Sequence, residues 1–153
     1  MSTILSVIDI IRALSELIEK EYPDYPINDM DIDEGFPRPS YFIEVEDVQT
    51  SWTATDYLKE SSNLQIAFFA PDRYEGFLEL LDMKNHLTLL FNEPLYVHND
   101  DSEQYVTLLE TTSDVFKNDK VLTFSFTADL IQKVERDEGD YYMEDLDYIR
   151  EVH

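Results

Sequence analysis

The acids of "NDMDIDEGFPRPSYFI" are spaced as a cation site would need them. Asp29, Asp31 and Asp33 alternate, and Glu34 and Gly35 follow. An EF-hand calcium loop places acids at positions 1, 3 and 5, glycine at 6 and a bidentate glutamate at 12. Counted from Asp29, position 6 is Glu34, position 12 is Ser40, and Pro37 and Pro39 stand where a helix should begin. The spacing fails, and the stretch reads as a bend that feeds a strand. No metal is expected elsewhere either. His86, His98 and His153 are scattered, and no paired-histidine spacing links them. A zinc site needs three or four convergent ligands. His98 with Asp100 and Asp101 is the most suggestive group, and an exposed polar turn accounts for it.

Covalent catalysis finds no better footing. The chain has no cysteine and only three glycines, so neither a GxSxG elbow nor a glycine-rich phosphate loop is present. With 34 acids, carboxylate pairs of the kind that hydrolyse glycosides arise by chance and carry no information. The expectation is a protein with no enzymatic activity and no cofactor.

Charge is the dominant bulk property. Eleven basic residues against 34 acidic ones give a net charge of −23. Such a surface repels phosphate backbones and argues against ordinary nucleic-acid binding. It leaves simple solubility, contact with a basic partner, a wall past which DNA slides, or mimicry of DNA. Hydrophobic residues make up 43% and aromatics 13%, enough for a core in one domain of 153 residues. No signal peptide and no apolar run of about 20 residues is visible. A protein that begins in the cytoplasm and meets no membrane is expected.

The elements that would position any surface follow from periodicity. Residues 3–21 predict an amphipathic helix capped by Ser2 or Thr3, with Ile4, Val7, Ile8, Ile11, Leu14 and Ile18 as its apolar stripe. Leu5, Ile10 and Leu17 widen that face, and Pro23 stops the helix. "SYFIEVED" predicts a strand, "SWTATDYLK" a second and "LQIAFFAP" a third, arranged as a meander. Residues 71–92 predict a second helix with an Asp72–Glu75 capping box and a stripe of Phe77, Leu80, Leu81, Leu87 and Phe91. "EQYVTLLE" and "VLTFSFTADL" predict further strands. In the latter, Leu122, Phe124, Phe126 and Ala128 share one face. The class is α+β, a mixed or antiparallel sheet of about 4–6 strands packed on two main helices. Residues 1–135 form the expected single domain. Residues 136–153 form an acidic, tyrosine-rich arm, whose Tyr141, Tyr142, Met143, Leu146, Tyr148 and Ile149 are candidates for a subunit interface.

Three of these stretches together carry a resemblance. "IDEGFPRPSYFIEV" is similar to the "QGFxxPxFFI" motif of the tail terminator family of phages and defective prophages of Gram-positive bacteria, with Glu34 in place of glutamine. The matching positions are Gly35, Phe36, Pro39, Tyr41, Phe42 and Ile43. "LQIAFFAP" resembles the family's "xIxYFP" strand at Ile66, Phe68, Phe69 and Pro71. "DKVLTFSFTADL" resembles its "DGVLHFxVxY" strand at Asp119, Val121, Leu122, Phe124 and Phe126. The resemblance implies a homo-oligomeric ring, typically a hexamer, that caps the head-proximal end of the tail tube and stops its polymerisation. It implies the tube protein, the head–tail connector or neck protein, and the sheath as partners. DNA would pass through without specific binding, and assembly in the host cytoplasm would end in the virion neck. Another neck or head-completion protein is the alternative within that class. An acidic DNA mimic is the alternative outside it.

Overall fold

The computed structural model describes residues 4–27, 38–71 and 76–134. Helix α1 spans Val7–Glu21 and begins one turn later than residues 3–21 suggest. Ser6 is the cap: its hydroxyl accepts from Ile8 N (3.2 Å), and Asp9 Oδ2 accepts from Ser6 N (3.0 Å), a reciprocal capping box. Gln132 holds the backbone of Leu5, just before the cap. Leu5 N donates to Gln132 Oε1 (2.6 Å), and Gln132 Nε2 donates to Leu5 O (2.9 Å). The buried face of α1 is Ile10, Ala13, Leu14 and Ile18, while Ile8 is 64% exposed. The expected stripe holds at Leu14 and Ile18, with Val7 and Ile11 packed at the margin of the core, and fails at Ile4 and Ile8. Ile10, placed off it, is fully buried, because apolar residues surround so much of this helix that spacing alone does not set its phase.

Strands β1 (Ser40–Ala54) and β2 (Tyr57–Phe69) form one long antiparallel hairpin. "SWTATDYLK" is accordingly no separate strand: it holds the end of β1, the Thr55–Asp56 turn and the start of β2. Helix α2 covers Phe77–Leu90, with Gly76 at its cap making no side-chain bond. It buries Leu80, Met83 and Leu87, with Phe91 just beyond its end, and Phe77 and Leu81 are only half-buried. Asp72 and Glu75 lie outside the described residues. The expected single strand at 103–110 divides. β4 (Glu103–Val106) pairs with β3 (Leu95–His98), and β5 (Leu108–Phe116) pairs with β6 (Val121–Lys133). Sequence reading missed β3, four residues long, because its length is too short to show a period.

The main sheet has the order β1-β2-β6-β5 and is antiparallel throughout. Two helices, this four-stranded sheet and a two-stranded one make an α+β fold. β6 alternates as its sequence requires: Leu122, Phe124, Phe126, Ala128 and Leu130 are buried. They meet Leu64, Ile66 and Phe68 of β2 and the buried faces of both helices in one hydrophobic cluster. Phe91 stands edge-on to Phe124 with centroids 5.1 Å apart. Such cores contribute most of the favourable free energy of folding.

Candidate functional site

The three stretches that carried the resemblance converge at one end of the sheet. Tyr41 pairs with Phe68, Ile43 with Ile66, Phe68 with Leu122 and Phe69 with Val121. Arg38 fastens this corner. Its guanidinium donates to Ala70 O (3.1 Å), Lys120 O (3.3 Å) and Asp119 O (2.7 Å), and it lies 5.7 Å from the centroid of the Phe69 ring. Sequence reasoning passed over Arg38, although a cation inside a proline-flanked bend was its signal. Tyr41 is fully buried and Phe42 only half-buried, as alternation along β1 demands. These motif residues build the fold. Gly35, Phe36 and the 29–34 acids lie outside the described residues, as do Tyr141, Tyr142, Met143, Leu146, Tyr148 and Ile149.

Buried tyrosines tie the helices to this corner. Tyr25 Oη donates to Glu79 Oε2 at 3.2 Å, and burial, reinforced by that carboxylate, pushes the phenol well above its ordinary range. Tyr41 Oη donates to Glu19 Oε2 (3.5 Å), and burial likewise raises its pKa.

No described side chains converge on a reaction. An open groove of about 630 Å³ runs between the start of α1 and the 98–102 turn, lined by Ile4, Ile8, Arg12, His98, Asp100 and Asp101. Arg12 is held by Asp9 at 3.0 Å, and His98 stacks on Tyr96 with centroids 5.0 Å apart. Among the described residues no group of three or more His, Asp or Glu could hold a metal ion, and none of the described helices is long and apolar enough to cross a membrane.

Surfaces are the distinctive feature. Both helices pack on one face of the main sheet, and no described helix or strand covers the other. The middle of that open face is uncharged and polar, with Asn63, Gln65, Thr123, Ser125 and Thr127, and Thr127 Oγ1 donates to Asn63 Oδ1 (2.7 Å). Among the described residues β1 and β5 are the edge strands of the sheet. β1 is bridged at its start, where Tyr41 N donates to Pro26 O (3.0 Å), and from Glu44 onward every residue is exposed. β5 is exposed over most of its length at the opposite edge.

The β1 edge changes character along its length. Glu44, Glu46 and Asp47 guard its first half, and a bulge interrupts the register between Val45 and Asp47. Residues 48–54, "VQTSWTA", then run without a charge in a chain of which 29% is charged. Val48 is 40% exposed and Trp52 52%. Edge strands are ordinarily blunted by charge, proline or bulges, because their unpaired backbone groups recruit other strands. A second bulge, between Trp52 and Ala54, ends this run, and the five uncharged residues before it form an edge suited to recruitment. Sequence reasoning took part of this run for an ordinary strand and missed what its missing charges meant.

Comparison with known proteins agrees with this picture. A family model described as phage tail terminator protein matches residues 9–140. No curated protein matches the chain.

Proposed function

This chain belongs to the phage tail terminator family, and on that premise we propose that it assembles as a closed ring, of six copies on the family's pattern. The ring caps the head-proximal end of the tail tube, halts tube polymerisation and offers the docking surface for the head connector. The observation that carries the reading beyond membership is the uncharged, exposed 48–54 edge on a chain of net charge −23. In a four-stranded antiparallel sheet the two edge strands run in opposite directions. The β5 edge of one copy therefore meets the β1 edge of the next in antiparallel fashion, and the same contact repeats around the assembly. A head-to-tail contact of this kind closes into a ring when its rotation permits. Such a cap works by shape and shared surfaces and needs no reacting group.

The charge has a role under the same reading. Carboxylates around the channel repel the phosphate backbone and let the genome pass without adhesion. A polymerising tail-tube protein supplies the test. Substoichiometric addition of this chain shortens the tubes, and negative-stain images show a ring at one end. Tubes that grow to unchanged length with no ring on either end overturn the proposal. A monomer that protects DNA-binding enzymes from their substrate would point to mimicry.

A further inference from the structure

The open face of the sheet ends, beside the β1–β2 turn, in an unusual group of side chains. Cross-strand register places Tyr57 opposite Lys133 and Lys59 opposite Ile131, all four on the face the helices leave bare. Tyr57 is 44% and Ile131 50% exposed. Among the described residues neither lysine has an ion-pair partner. Asp129 follows on the same face, and its Oδ1 has no hydrogen-bond partner there. Two lysines between two exposed apolar groups form a cationic, half-apolar patch on a strongly acidic protein. The patch fits an occupant that is acidic and aromatic at once.

The sequence contains one such segment. Residues 135–153 hold eight carboxylates against Arg136 and Arg150, interleaved with Tyr141, Tyr142, Met143, Leu146, Tyr148 and Ile149. The segment starts at the patch itself, since β6 ends at Lys133 and Val134 N donates to Asp56 O (2.7 Å) in the neighbouring turn. β6 is directed out of the sheet at that point, so a chain reaching its own Lys59 must reverse at once. Six residues lie between Val134 and Tyr141, and the seven steps between their Cα atoms give the chain a reach of about 23 Å when extended.

We propose that residues 135–153 of one copy dock on the Tyr57–Lys59–Ile131–Lys133 patch of its neighbour. The inference rests on the self-assembly argued above and adds a second contact to it. Tyrosine rings cover Tyr57 and Ile131, and the carboxylates meet Lys59 and Lys133. Acids beside exposed Lys133 and half-buried Lys59 add attraction that salt screens. The docked segment also keeps both lysines from passing phosphates.

Photo-cross-linking of the full chain tests this. The photoreactive p-benzoylphenylalanine replaces Tyr57, light and heavy isotope copies are mixed, and the assemblies are irradiated alone and on tail tubes. Expected are mixed-isotope cross-links from position 57 to the tryptic peptide 137–150. Lys59→Glu with Lys133→Glu lowers their yield about tenfold, as loss of two surface charge pairs near the upper end of their range implies. Cross-links within single copies only, or none to that peptide, overturn the proposal. Rings of unchanged mass without these cross-links refute the docking and leave the capping function standing. A chain that stays monomeric even on tubes refutes both.

Discussion

Ring closure through the 48–54 edge can be tested by restoring the charge that this edge lacks. Val48→Glu with Gln49→Glu extends the acidic guard of Glu44, Glu46 and Asp47 by one step on each face of β1. Both positions are exposed and pair with uncharged Ser62 and Ser61. The folded subunit should therefore change by no more than about 0.5 kcal/mol, or about 1–2 °C in Tm for a chain of this size. The interface should change far more. Covering the 40% of Val48 that is exposed contributes about 1 kcal/mol, and that gain disappears. Two carboxylates brought against an edge that already carries Glu110 and Asp114 cost about 1 kcal/mol each by like-charge apposition and desolvation. The sum, about 3 kcal/mol, is a weakening of about 150-fold per contact. Because every copy in a ring makes the contact, the assembly should be lost rather than thinned. Light scattering coupled to size exclusion across a hundredfold range of concentration measures this directly, and tube length in a capping assay measures its consequence. Rings of unchanged mass at the lowest concentration, formed by a variant with unaltered Tm, would refute the edge argument.

Four further outcomes concern the subunit itself. Phe91→Ala removes a ring that packs on both Phe124 and Phe126 and should cost about 3–5 kcal/mol in urea unfolding. Half-buried Phe42 on the open face should cost well under half of that when replaced by alanine. Ser6→Ala opens the capping box of α1 and should cost about 1 kcal/mol, read as a drop of about 2–4 °C in Tm. Stability should also decline in alkali. Burial raises the pKa values of Tyr25 and Tyr41 in the fold, whereas unfolded tyrosine ionises near pH 10. Their contribution is complete below pH 10 and is lost as pH climbs from there toward the folded pKa values, because the unfolded chain releases protons first. Urea midpoints between pH 8 and 11.5 should fall less steeply for Tyr25→Phe with Tyr41→Phe than for the parent.

What the sequence revealed and what it hid have a common physical origin. β6 was legible over Leu122, Phe124, Phe126 and Ala128 because one of its faces is core and the other is not, so burial imposes a period of two. The 48–54 run is exposed on both faces and at its edge, and burial imposes nothing on it. The order of types there reads as a loop or a short strand, and only the missing charges distinguish it. The first turns of α1 were misread for the opposite reason, since Ile4, Leu5, Ile8, Ile10 and Ile11 offer more apolar residues than one face can hold. The surplus is informative: Ile8, 64% exposed, and Ile4 line the groove beside the 98–102 turn. Lys59 and Lys133 are neighbours only through strand register, which no local pattern announces. If the proposed self-assembly holds, the chain is least readable where it acts, because a core constrains residue types within one sequence and an interface constrains them only against another copy. Under the proposed ring, the illegibility of the edge has a plain cause: the groups that complete it lie on the neighbouring copies.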